Sequence, residues 1–392
     1  MNTDVLGYTR EELDARGALK TACEIWQQPD LWREVAAAAA ARREETQAFL
    51  HPLLERPGLR IVLTGAGTSA FAGEVLAPAL TRVLRRRVDA MPTTDIVSNA
   101  RECFAENLPT LVVSFARSGD SPESVAATEL AEQCLDEVRH LVITCNAEGE
   151  LYRRHRAAEG SLVLLMPERA NDEGFAMTSS FTCMLLTAWL TLTPPDLDAG
   201  ARVERLAGAG ERILDTCAGA ARALAEHGYE RIIYLGSGPL TGLARESALK
   251  TLELTAGEVV SYFDSSLGFR HGPKSVVNDR TVVLGYLSND AYTRQYDIDI
   301  LDEVRRSLGP DNVVAIGTDA PAHSPQSGLW VVEGLGDVDD AELALPAILC
   351  AQMVGLSFSL ALGHTADNPS PSGEVNRVVK GVIIHSLPKQ AK

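Results

Sequence analysis

The chain has 392 residues, of which 45% are hydrophobic and 23% charged, the composition of a globular protein with room for two ordinary domains. Its formal net charge of −17 argues against non-specific binding to nucleic acid or anionic membranes, because both draw affinity from an excess of Lys and Arg. The seven cysteines (Cys23, Cys103, Cys134, Cys145, Cys183, Cys217 and Cys350) are scattered and never spaced C-x-x-C, which fits reduced thiols better than disulfides or a structural zinc site.

The N-terminus MNTDVLGYTREELDARG has no apolar signal core, and no run is read as long enough to span a bilayer, so a cytoplasmic location is expected. The Ala-rich stretch from Thr21 and ARREETQAFLHPLLE (41–55) have helical periodicity and make a lead-in. RIVLTGAGTSA (60–70) then reads as a buried strand, a glycine turn and the start of a helix that ends in the basic cluster RVLRRRV (82–88). That cluster stands alone in an acidic chain and is read as a solvated helix end. TLVVSFARSGDSPES (110–124) repeats strand, turn and helix; HLVITCNAEGE (140–150) and SLVLLMPE (161–168) add strands; MTSSFTCMLLTAWLTL (177–192) is an apolar helix.

The same order returns after the Pro/Gly/Asp linker TPPDLDAG (193–200). ERIIYLGSGPL (230–240) is strand and turn, TGLARESALKTLELTAG (241–257) a helix, and strands follow at 280–289, 311–319 and 328–334 before the apolar helix 342–363. Strands alternating with helices predict parallel sheets covered on both faces, and the weak repeat of TGAGTSA in LGSGPLTG predicts two similar α/β domains. The expected division is a helical lead-in over 1–45, a first domain over 46–195, a second over 196–365 and a tail over 366–392.

GAGTSA (65–70) formally matches the dinucleotide pattern G-x-G-x-x-A, and Asp89 lies where a ribose-binding carboxylate would stand, but behind Arg85, Arg86 and Arg87. The second turn favours a phosphate instead. Arg117, Ser118 and Ser121 gather at the start of one helix, as Gly67, Thr68 and Ser69 do at another, and helix N-termini offer free N–H groups to an anion. A plain N-cap role for Ser118 or Ser121 stays open. No phosphate-loop lysine motif is present, which argues against nucleotide triphosphate chemistry.

In RESALKTLE (245–253), about 100° of turn per residue puts Glu246, Lys250 and Glu253 on one narrow stripe. They form either a solvated face or an acid–base set. GFRHGPKS (268–275), with His271 and Lys274 around a Gly-Pro turn, favours the second reading. Aldose–ketose chemistry needs a base that moves a proton between neighbouring carbons, a cation for the enediol oxygens and a group that opens the ring.

These motifs together resemble the sugar isomerase (SIS) domain family, in particular the isomerase half of glucosamine-6-phosphate synthase, over roughly residues 45–385. GTSAFA and SGDSPES look like its phosphate-binding motifs, ESALKTLE and FRHGP like its catalytic helix and histidine loop, and NRVVKGV (376–382) like its C-terminal segment. The resemblance implies two SIS domains in a three-layer α/β/α fold. It gives Glu253 the proton transfer between C1 and C2, Lys250 its electrostatic support, His271 ring opening from a neighbouring subunit, and Lys380 an imine. It implies a sugar phosphate substrate held by the turns of the first domain, no metal or organic cofactor, and a homodimer or larger homo-oligomer. Two departures stand out: no segment of these 392 residues reads as a glutaminase domain, so none is expected, and Arg117 replaces a neutral side chain in the phosphate turn. A free-standing double-SIS chain with SFARSGDSPES and SSLGFRHGPKS is most similar to the AgaS group of galactosamine-6-phosphate deaminase/isomerases and tagatose-6-phosphate ketose/aldose isomerases. Glucosamine 6-phosphate as substrate, simple isomerisation, and a non-catalytic sugar-phosphate-binding regulator remain the alternatives.

Overall fold

The computed structural model describes residues 4–196, 198–319, 328–370, 377 and 381–388. An antiparallel hairpin, β1 (Asp4–Val5) and β2 (Tyr8–Thr9), opens the chain. Thr9 caps α1 (Arg10–Ala15) in a capping box with Glu12, each side chain satisfying a backbone N–H that the helix leaves unpaired. Helices α2 (Leu19–Trp26), α3 (Gln28–Ala41) and α4 (Arg43–Leu54) complete the lead-in.

The first domain runs β3 (Arg60–Thr64), α5 (Thr68–Leu84), β4 (Val88–Ala90), α6 (Thr93–Ser98), α7 (Ala100–Cys103), β5 (Thr110–Ala116), α8 (Pro122–Cys134), β6 (Val138–Thr144), α9 (Glu150–His155), β7 (Ser161–Leu165) and α10 (Ser179–Leu192). The second runs α11 (Ala199–His227), β8 (Arg231–Gly236), α12 (Pro239–Leu254), β9 (Val260–Ser265), β10 (Thr281–Tyr286), α13 (Ala291–Leu308), β11 (Val313–Gly317), β12 (Leu329–Val331) and α14 (Asp340–Ala361). The sheets are ordered β4-β3-β5-β6-β7 and β12-β11-β10-β8-β9, and every pairing within them is parallel.

Counted from its own first strand, each sheet has the order 2-1-3-4-5. The internal repeat is therefore one topology used twice. In such sheets ligands bind where the strand order reverses, outside the carboxyl ends. Those crevices lie between β3 and β5 in one domain and between β8 and β10 in the other. The sequence reading lacked β4 and β9. Both are edge strands beside the first strand of their sheet; one has only three residues and the other is half-exposed, so neither carries the apolar run of a buried strand.

Helix α14 also departs from the sequence expectation. Leu343 to Gly363 contains no charged residue, a longer uncharged run than the sequence reading allowed. By length and composition α14 could cross a membrane, yet its apolar window is wholly buried in the protein. It packs along α11 and α12 as a central core helix, which explains an apolar circumference without any lipid.

Candidate active site

The site begins with two glycine turns of the same shape. Gly67 before α5 has φ +55° and ψ −128°, and Gly238 before α12 has φ +56° and ψ −125°, a region open to glycine and strained for other residues. Both turns fold so tightly onto the following helix that a Cβ on Gly65 would lie 2.6 Å from the Cβ of Ser69, and one on Gly236 would lie 2.4 Å from the carbonyl oxygen of Leu240.

Helices α5 and α12 then cross closely. A Cβ on Gly242 would lie 2.7 Å from the backbone nitrogen of Val75. Beside the crossing Arg245 pairs with Glu74 at 2.6 Å and stacks on Phe71 and Phe263, 4.6 and 5.3 Å from their ring centres. The crossing brings Thr68 of the first domain onto the charged stripe of the second.

Lys250 Nζ donates to Glu253 Oε2 at 2.5 Å and to Thr68 Oγ1 at 3.0 Å, and stands 3.4 Å from Glu246 Oε1. Thr68 Oγ1 in turn donates to Glu246 at 3.3 Å. The Lys250 and Glu246 side chains are 0% exposed, whereas that of Glu253 is 23% exposed. A solvated helix face is thereby ruled out: the stripe is a buried set in which one carboxylate is partly exposed.

Burial pushes the Glu246 carboxyl up to about 8, against the opposing pull of Lys250. For Lys250, burial alone would lower the pKa, but Glu246 and Glu253 together outweigh it and the net direction is up. These directions compete, since Lys250 cannot draw full support from a carboxyl that is protonated. We assign the charge pair to Lys250 and Glu253, which are the closer partners, and a neutral carboxyl to Glu246, whose Oε2 has no hydrogen-bond partner. A balanced pair costs less to bury than a set with net charge.

Around the second turn, Ser121 occupies the N-cap of α8 but its hydroxyl pairs with Ser124 Oγ at 2.6 Å rather than capping the helix. Ser118 Oγ accepts from the backbone N–H of Asp120 at 3.3 Å. Arg117 is buried, and burial pulls its pKa down. It donates to the carbonyl oxygens of Phe175 at 3.1 Å and Arg377 at 2.6 Å. The loop it holds is fixed again by Asp172, whose carboxylate accepts from the N–H groups of Thr178, Ser179 and Ser180 at 2.9, 3.0 and 2.9 Å.

His271 follows a short 3-10 turn (Gly268–Arg270) and is exposed. Among the described residues it makes no side-chain hydrogen bond or ion pair, with Lys250 and Glu253 or with any other group. Lys274, on the same loop, pairs with Glu303, which also takes Arg270 at 2.8 Å. Lys380 lies outside the described residues. Sequence reasoning placed Glu246 on the stripe without giving it a part, and assigned Thr68 to phosphate alone. The i,i+4 spacing of Glu246 and Lys250 was the available signal for the first; the contact with Thr68 joins residues 182 positions apart and has no local signal.

Comparison with known proteins gives a consistent result. The SIS domain family model matches residues 53–194. An AgaS protein of Streptomyces coelicolor is 59% identical over 372 residues, covering 94% of this chain and 96% of that one. The D-galactosamine-6-phosphate deaminase AgaS of Escherichia coli is 44% identical over 363 residues, covering 92% and 94%. The crystal structure of tagatose-6-phosphate ketose/aldose isomerase from Escherichia coli superposes with a TM-score of 0.86 at 41% identity, covering 95% of this chain and 97% of that one.

Proposed function

Because the chain belongs to the AgaS family of SIS-domain proteins, we propose that it converts D-galactosamine 6-phosphate and water to tagatose 6-phosphate and ammonia. The observation that carries this reading is Lys250, sealed between Thr68 of one domain and the partly exposed carboxylate Glu253 of the other. A buried ammonium held against a partly exposed base is an arrangement suited to moving a proton beside a developing oxyanion.

In the proposed reaction the sugar ring opens with His271 as acid–base. Glu253 takes the proton from C2 and returns it to C1, while Lys250 holds the charge on oxygen at the adjacent carbon. The resulting C2 ketimine adds water and expels ammonia, leaving the ketose. Glu246, neutral and buried, fixes Lys250 from behind. The phosphate is assigned to the switch point of the first domain and to Gly67, Thr68, Ser69, Arg117, Ser118 and Ser121 around it. Lys380, carried over from the family resemblance, is assigned to assist the hydrolysis of this ketimine.

The enzyme is proposed to act as a homodimer or larger homo-oligomer with shared sites. Among the described residues His271 has no side-chain hydrogen-bond or ion-pair partner, and β9, the turn after it and the end of α12 expose Val260, Tyr262, Leu267 and Leu252. Exposed apolar clusters of this kind mark protein interfaces. A cytoplasmic location is part of the same proposal.

The substitution Glu253→Gln tests the chemistry. Turnover is expected to fall by about 10²- to 10⁴-fold, the usual worth of a positioned acid–base group, with sugar-phosphate affinity retained. Unchanged turnover would remove Glu253 from the reaction. A second reading, isomerisation of an unsubstituted ketose phosphate, is favoured by the name of the solved Escherichia coli relative; tagatose 6-phosphate turnover without ammonia release would select it.

A further inference from the structure

The second domain repeats the first down to the shape of its glycine turn, yet the two crevices differ in what fills them. Aligned on Gly65-Ala66-Gly67 and Gly236-Ser237-Gly238, the domains place Ser237 after β8 and Ser288 after β10, on either side of the point where the strand order reverses. Ser266 follows the neighbouring edge strand β9.

All three converge on one carboxylate. Asp297 of α13 accepts from Ser237 Oγ at 2.6 Å and from Ser266 Oγ at 2.5 Å on one oxygen, and from the backbone N–H of Ser288 at 3.0 Å on the other. Asp297 is 1% exposed. Two hydroxyls and a backbone amide gathered at a switch point, beside the start of a helix, form the donor set that binds an oxyanion. In the first domain, by contrast, no carboxylate among the described residues accepts from Ser69, Ser118 or Ser121.

We propose that the switch-point crevice of the second domain is an oxyanion site occupied by the chain's own Asp297 carboxylate, and that removing this carboxylate opens it to inorganic phosphate. Its charged surroundings are of both signs. Arg294 donates to the carbonyl oxygen of Ser288 at 3.2 Å, and Asp340 accepts from Ser288 Oγ at 2.5 Å and from the Asn289 N–H at 2.7 Å. Burial raises the Asp297 pKa, and its three donors oppose that rise. The native consequence is a rigid junction of β8, β9 and β10 at the foot of the catalytic helix. Together with the function proposed above, it means one sugar phosphate per chain; the plug itself does not depend on that function.

The test uses the full chain with Asp297→Ser, which hollows the crevice, and Asp297→Asn, which keeps its volume and one acceptor oxygen. Equilibrium dialysis with radiolabelled inorganic phosphate is expected to count about one more phosphate per chain in the Ser variant than in wild type or the Asn variant, and phosphate should raise its Tm by roughly 3 °C more than it raises theirs at equal ionic strength. Equal counts and equal shifts in all three proteins would overturn the proposal. Should the Ser variant fold poorly, refolding in phosphate against chloride reads the same point: recovery only in phosphate supports the site, and equal loss in both salts contradicts it. Loss of ammonia release in wild type would bear on the proposed reaction and leave this count untouched.

Discussion

Three side chains on one stripe of α12 stand in different surroundings, and the proposed division of labour among them follows from those surroundings. Glu253 is partly exposed, Lys250 is sealed against it, and Glu246 is buried with one oxygen unpartnered. The raised pKa of Glu246 makes a linkage prediction. Its unfolded value is near 4.5 and its folded value about 8, so across this window the folded state holds the proton more tightly. The stabilising contribution is complete below the unfolded value and is lost as pH rises towards about 8. Glu246→Gln keeps the shape and cannot titrate; its Tm relative to wild type should therefore rise between pH 5 and 8, roughly the window set by the two values. A constant difference would show that Glu246 is charged throughout. The stripe was legible in the sequence because helical period alone places the three residues together. Burial was not, since only the crossing of α5 decides that no water reaches Lys250.

That crossing belongs to the element scale, where small residues set distances. Gly242 lies under the backbone of Val75 with no room for a methyl group. Gly242→Ala is expected to cost about 1–3 kcal/mol through overpacking and to lower kcat by shifting Thr68 from Lys250; urea unfolding and steady-state rates on the same variant check both. At the far end of the first domain, His140 of β6 and His155 of α9 stand 4.7 Å apart, ring centre to ring centre, both buried. Burial, helped by Arg154, holds both well below the ordinary 6.5, at about 4. Arg154 is itself paired with Glu129 and Glu132, and Ser161 bonds His155 at 3.0 Å. Since the unfolded chain binds these protons first, stability should fall as pH drops from about 6.5 to about 4. His155→Gln should flatten that slope in a Tm-against-pH series; an unaltered slope would place the acid sensitivity elsewhere. The regular elements around these positions were readable from apolar runs and glycine turns. The edge strands β4 and β9 were not, because a strand solvated on one side and hydrogen-bonded on only one edge carries little apolar signal.

For the molecule as a whole, two copies of one topology have taken different parts. In the first domain no carboxylate among the described residues accepts from Ser69, Ser118 or Ser121, whereas the second carries the Glu246–Lys250–Glu253 stripe and has its switch-point serines held by Asp297. The His271 loop and the exposed face of β9 suit a second subunit, and mixing two inactive variants tests the sharing. Exchange between Glu253→Gln and His271→Asn subunits should restore about a quarter of wild-type activity, since half the dimers are mixed and one of their two sites is intact; no recovery after exchange would place His271 in its own chain's site. The most direct test of the account is ammonia release by the purified protein, without added cofactor, from D-galactosamine 6-phosphate and D-glucosamine 6-phosphate in parallel. Release from the galacto sugar, abolished by Glu253→Gln, is the predicted result; silence on both sugars, or release that survives the substitution, would contradict it.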